Sequence, residues 1–297
     1  MDVRRSGKMS TGASPSGRKT KAKAKTKAKA KTKKPTQAER ADRHVLYQSS
    51  VQVPEGDIAI FEQIFRSLGR RKPLTMREDF CGTAYLSTTW VKSDPKRRAV
   101  GIDLDEPTLE WGRQHNLSTL TPAQRKRITL HQADVLDGVG EKTEFTCALN
   151  FSYQVFKTRE LLRRYFERVR DCLTDDGVFI TELYGGTEAV IELEDERQCK
   201  GFVYVWEQAS YNPITHDTLC HIHYRFPDRS RLKQAFTYDW RLWTIPELRE
   251  LLQEAGFREV QVWWEGVDED GEGSGDYQPT ECEENQESWL VYIVAIK

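Results

Sequence analysis

Apolar positions recur along this chain in two rhythms, one helical and one of short continuous runs, and the two alternate. Ile58, Ile60, Phe61, Ile64 and Phe65 fall at helical spacing, which predicts a helix over Pro54–Leu68 after a lead-in of Ala41–Gln52. A short apolar run from Leu74 then gives a strand, a small-residue bend at Cys81-Gly-Thr-Ala84, and a helix through Tyr85–Val91. The next strand, Ala99-Val-Gly-Ile102, ends on Asp103, and Pro107–Asn116 is helical. Ile128–Asp134 and Phe145–Asn150 read as the third and fourth strands. Thr158 then caps an amphipathic helix over Arg159–Leu173, and Val178–Leu183 is the fifth strand. Five strands alternating with helices predict an α/β fold with a doubly wound, mostly parallel sheet. The C-terminal strand ends carry Glu78, Asp103, Asp134, Asn150 and Glu182, and ligands of open α/β sheets bind at that edge.

After Gly186 the rhythm changes. Three aromatic-rich segments, Gly201–Trp206, Leu219–Phe226 and Leu232–Trp240, are separated by turns at Asn212-Pro213 and Pro227-Asp-Arg229 and read as antiparallel strands. They form an insertion at the ligand edge, suited to be a lid. Helix Glu247–Ala255 and strands Val260–Trp264 and Trp289–Ile296 close the chain, with a mobile Gly- and acid-rich loop, 266–287, expected between them. The organisation expected is a basic arm over 1–40, a core over 41–186 and 241–297, and a lid over 187–240.

Charge sharpens this division. Residues 1–40 carry 14 Lys and Arg against 2 Asp and Glu, although the 297-residue chain totals only −1. The run KTKAKAKTKAKAKTKKPTQ has almost no large apolar side chain, so disorder is expected there. Its lysines suit a polyanion such as nucleic acid, an import role, or simply solvation of an acidic domain. No apolar run reaches the ~18–20 residues of a membrane span. Six scattered cysteines without C-x-x-C pairs suggest reduced thiols, hence a cytoplasmic location, or a nuclear one if the lysines direct import.

The chemistry centres on Leu74–Asp105. A strand, a small-residue turn and a helix present backbone N–H groups, and a carboxylate about 20 residues onward can take ribose hydroxyls. Only the middle glycine of a G-x-G-x-G pattern stands here, Gly82, with Phe80 and Ala84 in the outer places.

The segments EDFCGTA, VGIDLD, HQADVLD, LNFSYQVF, GVFITELYGG and WRLWTIPELRELLQEAGFREV, in this order, resemble the class I S-adenosylmethionine-dependent methyltransferases over roughly Tyr47–Lys297. The likeness is to small-molecule-type members with a lid insertion. It implies a seven-stranded sheet whose last strand is antiparallel, and S-adenosyl-L-methionine as cofactor. It also implies Glu78 near the cofactor's amino group, Cys81 and Gly82 at its methionine and ribose, Asp103 on the ribose, and Leu104, Asp134 and Val135 around the adenine. Asn150 and Phe151 would lie where the methyl passes to the acceptor. Tyr47 and Gln52 can fold over the cofactor or form a polar flank.

Candidate catalytic residues are Asn150, Tyr153, His221 and His223, with Glu182 as a further base. The histidines share one face of their strand, which can front substrate or solvent. Tyr153, Tyr184, Tyr204, Trp206, Tyr238 and Trp240 can wall a pocket and attract a cationic methyl, or form lid core. Cys220 faces away from His221 and His223, so no metal is expected. Arg241 can pair with a substrate carboxylate, Asp239 or Glu247. The leading reading is methyl transfer to a small-molecule N or O acceptor. Its alternatives are a protein or nucleic-acid methyltransferase docked by the arm, a nicotinamide-dependent oxidoreductase, and a non-catalytic nucleoside-cofactor-binding protein. The sequence does not fix oligomeric state.

Overall fold

A computed structural model describes residues 34–267 and 273–297. Residues 1–33 of the basic arm, with the disorder and polyanion contact expected of it, lie outside the described residues. The compact unit starts at Thr36. In chain order its helices are α1 (Gln37–Arg40), α2 (Arg43–Ser50), α3 (Pro54–Ser67), α4 (Tyr85–Ser93), α5 (Glu106–His115), α6 (Pro122–Arg125), α7 (Arg159–Asp171) and α8 (Ile245–Glu254). The strands are β1 (Thr75–Asp79), β2 (Arg98–Asp103), β3 (Ile128–Gln132), β4 (Thr143–Ala148), β5 (Leu173–Gly185), β6 (Leu193–Cys199), β7 (Phe202–Tyr211), β8 (Asp217–Arg225), β9 (Arg231–Arg241), β10 (Glu259–Val267), β11 (Gly273–Thr280) and β12 (Trp289–Ile296).

The main sheet has the order β11-β10-β12-β5-β4-β1-β2-β3. Neighbours from β5 through β3 pair in parallel, while β12 runs antiparallel to both β5 and β10. This is the doubly wound sheet expected, with one strand more. Part of the presumed mobile loop pairs antiparallel with β10 as β11, placing Tyr277 opposite Glu265.

Strand alternation divides the core in two. Met76, Phe145, Cys147, Val178, Ile180 and Val294 face α3, α4 and α5, joining Phe61, Ile64, Trp90 and Leu109. Ala148, Phe179, Leu183 and Ile293 face α7 and α8. Helix α7 shows how sequence makes this fit: Leu162, Tyr165, Phe166 and Val169 recur at helical spacing and are all buried, and the Leu161 N–H donates to the Thr158 cap at 3.2 Å. Helix α8 opens on a Thr244–Glu247 capping box with Pro246 in its first turn.

The lid is a separate antiparallel sheet of four strands, β6-β7-β8-β9, where three were expected. Strand β6 (LEDERQC) is exposed over most of its length and lacks any two-residue hydrophobic period. Helix α2 was likewise unexpected. It packs against the lid through Leu46, which joins Phe202, Ile222 and Tyr224. Thr36–Arg40, assigned to the arm from its charge, instead forms the short helix α1, which is tied to the β8–β9 turn: the Gln37 N–H donates to Asp228 Oδ2 at 2.8 Å.

Candidate functional site

The bend after β1 keeps the shape of a glycine-rich loop with two of its glycines missing. Phe80, Gly82 and Ala84 all have positive φ, at 57°, 53° and 53°. Such a conformation costs roughly 1–2 kcal/mol for a residue bearing a Cβ. The fold meets that cost with tertiary contacts. Phe80 turns its ring away from the bend onto Phe156 and Tyr165, with centroids at 6.0 and 5.8 Å. Ala84 is fully buried. Gly82 is not crowded, since an added Cβ would find its nearest neighbour, Thr108 Cγ2, at an ordinary van der Waals 3.9 Å. Cys81 sends its thiol into the core, where burial pushes its pKa well up, so only its backbone faces the crevice.

Asp103, ending β2, sits across from this bend. Its Oδ2 accepts the Gly82 N–H at 2.7 Å and its Oδ1 accepts the Asp105 N–H at 2.9 Å. Leu104 follows it at 69% exposure, unusual for a leucine beside a buried strand. Asp134 ends the β3 segment and caps the short turn Val135–Asp137 by accepting the Leu136 N–H at 2.9 Å. Val135 is buried against the α7 side of the core rather than open. Helix α5 holds the bend from behind: Asn116 Nδ2 donates to Thr83 O at 2.9 Å. Gly112 permits that approach, because a Cβ there would lie 2.3 Å from the same oxygen.

Glu78 points to the α4 side of β1. Its Oε2 accepts both the N–H and the hydroxyl of Ser87 in the first turn of α4. Burial pushes its carboxyl up to about 7, against the pull of those two hydrogen bonds. Ala84, preceding α4, provides no side-chain cap, and it is Glu78 that takes a first-turn N–H, that of Ser87. Helix α2 lies over the bend, where Gln48 Nε2 donates to Thr83 Oγ1 at 2.8 Å, and α5 anchors it through Trp111 Nε1 on Asp42 Oδ2 at 2.7 Å.

Two cavities open beside this crevice, and Val51 and Asn150 line both. The larger, about 830 Å³, lies between α3, the ends of β1, β4 and β5, and β11. Asp57, Glu78, Glu182, Glu265 and Asp276 line it, with Arg66 the one basic residue among its lining. Burial pushes Asp57 up to about 8, helped by the charges of Glu182 and Glu78. Burial likewise lifts Glu182 to about 7 although the Asn150 N–H, at 2.6 Å, pulls it down. The smaller cavity, about 190 Å³, lies between the lid and the tips of β4 and β5 and is almost wholly aromatic. Asn150 and Phe151, both with positive φ at 53° and 57°, form the sharp corner that brings β4 to it.

The structure brings together much of the expected set. Tyr47, Asn150 and Phe151 line the aromatic cavity, as do Tyr184, Tyr204, Trp206, Tyr238 and Trp240. Gln52 lines the larger one. Three candidate catalytic side chains are elsewhere. Tyr153 is fully buried with its hydroxyl donated to Glu182 O at 3.0 Å, a packing role beneath the site. His221 and His223 lie on the lid face opposite the cavity, because Ile222 pairs with Trp206 and Phe236 on the inner side. There His223 Nε2 meets Glu207 at 2.8 Å and His221 Nδ1 meets Thr237 at 2.9 Å. Cys220 shares the inner face with Tyr238, and among the described residues no three metal-binding side chains converge. Arg241 pairs with Glu247 at 2.8 Å and lies over Trp243.

Sequence reasoning missed the support beneath the bend. Arg77 and Asp79, fully buried on the other face of β1, pair at 2.6 Å, and Tyr165 donates to the second Asp79 oxygen at 2.9 Å. Arg77 also donates to Val139 O and Val135 O, tying β1 to the turn after Asp134. Two charges two residues apart in a strand share a face, and in a buried strand they must pair. That was the available signal.

No family model and no curated protein matches this sequence. Solved structures do match its fold. An S-adenosylmethionine-dependent methyltransferase from Clostridium acetobutylicum superposes with a TM-score of 0.59 at 14% identity, over 85% of this chain and 96% of that one. The amino pentose methyltransferase CalS10 of Micromonospora echinaspora, solved with S-adenosylmethionine bound, gives 0.59 at 15% identity, over 85% and 95%. The sugar N-methyltransferase KedS8 of a Streptoalloteichus species gives 0.56 at 16% identity, over 95% and 99%. The chain therefore has the class I methyltransferase fold.

Proposed function

We propose that this chain is an S-adenosylmethionine-dependent enzyme that transfers a methyl group to a nitrogen or oxygen of a small molecule. The observation that carries the reading is the three-residue left-handed bend over Asp103, kept although two of its positions bear side chains. The residues present fit the cofactor. Gly82 has room for no more than ordinary contact around an added Cβ, Leu104 stands exposed beside Asp103, and the bend leads directly into the N terminus of α4. Asp103 would hold the ribose hydroxyls, Leu104 and Asp134 would flank the adenine, and Glu78 with the backbone of Cys81–Gly82 would hold the methionine end. Tyr47, on α2, would close over it. When bound, the cofactor supplies an activated methyl on a positively charged sulfur.

The chain's own task is then alignment and exclusion of water. The β4 corner at Asn150 and Phe151 sets the place where an acceptor meets that methyl, and the aromatic lid covers it. Glu182, held by the Asn150 N–H and raised by burial to about 7, would take a proton from an acceptor at this corner. The likeness to the sugar N-methyltransferase KedS8 and the amino pentose methyltransferase CalS10 supports a small acceptor rather than a macromolecule. The test is a methyl-transfer screen over metabolite fractions with isotopically labelled cofactor. A mass gain of one labelled methyl in a small molecule is expected. Label incorporated only into protein or nucleic acid would overturn the small-acceptor reading.

A further inference from the structure

The aromatic cavity has features that a plain hydrophobic lid core lacks. Tyr238 and Trp240 stack at 4.3 Å, Trp206 lies 6.1 and 6.3 Å from them, and Phe151 approaches Tyr184 edge-on at 4.8 Å and Trp240 at 6.3 Å. With Tyr47 these rings enclose space instead of filling it. At about 190 Å³ the space is below the ~300–1,000 Å³ of a drug-sized site, so it suits one group of a ligand rather than a whole molecule.

Polar atoms at this place also lack partners. The Tyr184 hydroxyl is buried without a nitrogen or oxygen partner, the Cys220 thiol being the polar group that interacts with it. Gln52 Oε1, in the adjoining cavity, is buried without a donor. The Asp57 carboxyl, on the wall of the larger cavity, accepts no hydrogen bond and joins no ion pair among the described residues. A buried acceptor without a donor is costly, and a ligand carrying N–H groups relieves that cost. Five carboxyl groups stand against one arginine around the larger cavity, and a cation bound beside them would favour the ionised forms that burial opposes at Asp57, Glu78 and Glu182.

We infer that the acceptor is an amine, bound as its cation, whose methylated nitrogen occupies the aromatic cavity formed by Tyr47, Phe151, Tyr184, Trp206, Tyr238 and Trp240. The inference rests on the methyl-transfer reading and names its substrate class. Ring faces attract an alkylammonium and need not give up hydrogen bonds to do so, so they also tolerate a nitrogen that gains methyl groups. Before transfer the acceptor nitrogen loses its proton through the acid-lined cavity beyond Asn150. Its lone pair then forms the N–C bond as the donor's S–C bond breaks. Positive charge moves from sulfur to nitrogen, the donor leaves as a neutral thioether, and the new ammonium remains among the rings.

The test is calorimetry on the full chain loaded with S-adenosylhomocysteine. Choline serves as a trimethylammonium probe, and 3,3-dimethylbutan-1-ol as its uncharged isostere. Choline is expected to bind at least tenfold more tightly than the isostere. Trp206→Leu should lower choline affinity at least tenfold while S-adenosylhomocysteine affinity stays within twofold, and Trp206→Phe should retain most of the choline binding. Equal affinity for the two probes, or choline binding unaffected by Trp206→Leu, would overturn the amine assignment while leaving the cofactor reading standing. Failure of S-adenosylhomocysteine itself to bind would remove the reading on which the assignment depends.

Discussion

Asp103 is the side chain on which most depends at the scale of single residues. It shapes the bend through the Gly82 N–H, and it is the group proposed to hold the ribose. Asp103→Ala is expected to weaken S-adenosylhomocysteine binding by ~1–3 kcal/mol, the cost of losing charge-assisted hydrogen bonds. Calorimetry checks this, with circular dichroism to confirm a folded variant. The carboxyls of the larger cavity predict a pH dependence. Asp57 near 8, and Glu78 and Glu182 near 7, are all raised by burial above their ordinary values of about 4. The folded chain keeps protons there that the unfolded chain has lost. Their contribution to stability is therefore full below about pH 4 and disappears as pH rises through 7 to 8. Urea midpoints of the ligand-free protein should fall from pH 6 to pH 8.5, and Glu182→Gln should flatten that slope. A slope unchanged by the substitution would show that Glu182 is ordinary in the folded state.

At the scale of elements, the crevice depends on how closely α5 and β1 approach their neighbours. Gly112→Ala would put a methyl 2.3 Å from Thr83 O, a backbone atom that cannot move without reshaping the bend. A stability loss of roughly 1–3 kcal/mol is expected, together with weaker cofactor binding, read by thermal unfolding and titration. Arg77→Met leaves Asp79 buried beside Tyr165 with no counter-charge, and about 3–5 kcal/mol of stability should be lost. The elements themselves were legible in the sequence where one face is buried. All five strands of the first half, α7 and α8 were readable because periodicity records burial. Strand β6 and strand β11 were not, because both are sheet edges exposed on most positions and owe their form to pairing alone. Helix α2 has a modest apolar stripe, and its place is decided by Gln48, Leu46 and the lid. The shared face of His221 and His223 followed from alternation. Which side of the lid that face occupies depended on the packing of Leu46 and Ile222, contacts remote in sequence. The bend was only half legible: Phe80 and Ala84 disguise a loop whose left-handed angles they nonetheless keep.

Considered whole, the folded unit from Thr36 to Lys297 joins a wound sheet, a four-stranded lid and a helical strap, with acid concentrated in one cavity and aromatic rings in the next. Among the described residues no helix is long and apolar enough to cross a membrane. Since that unit contains every residue of the site, removing residues 1–33 should leave thermal unfolding and S-adenosylhomocysteine affinity unchanged. A drop in either would assign the lysine run a part in the folded unit. The sharpest test of the account as a whole is a calorimetric titration of the purified chain with S-adenosylhomocysteine and, in parallel, with NAD. The crevice beside Gly82 and Asp103 predicts saturable, one-to-one binding of S-adenosylhomocysteine that Asp103→Ala weakens, and no heat with NAD. Absence of S-adenosylhomocysteine binding by the folded protein, or affinity untouched by Asp103→Ala, would contradict it.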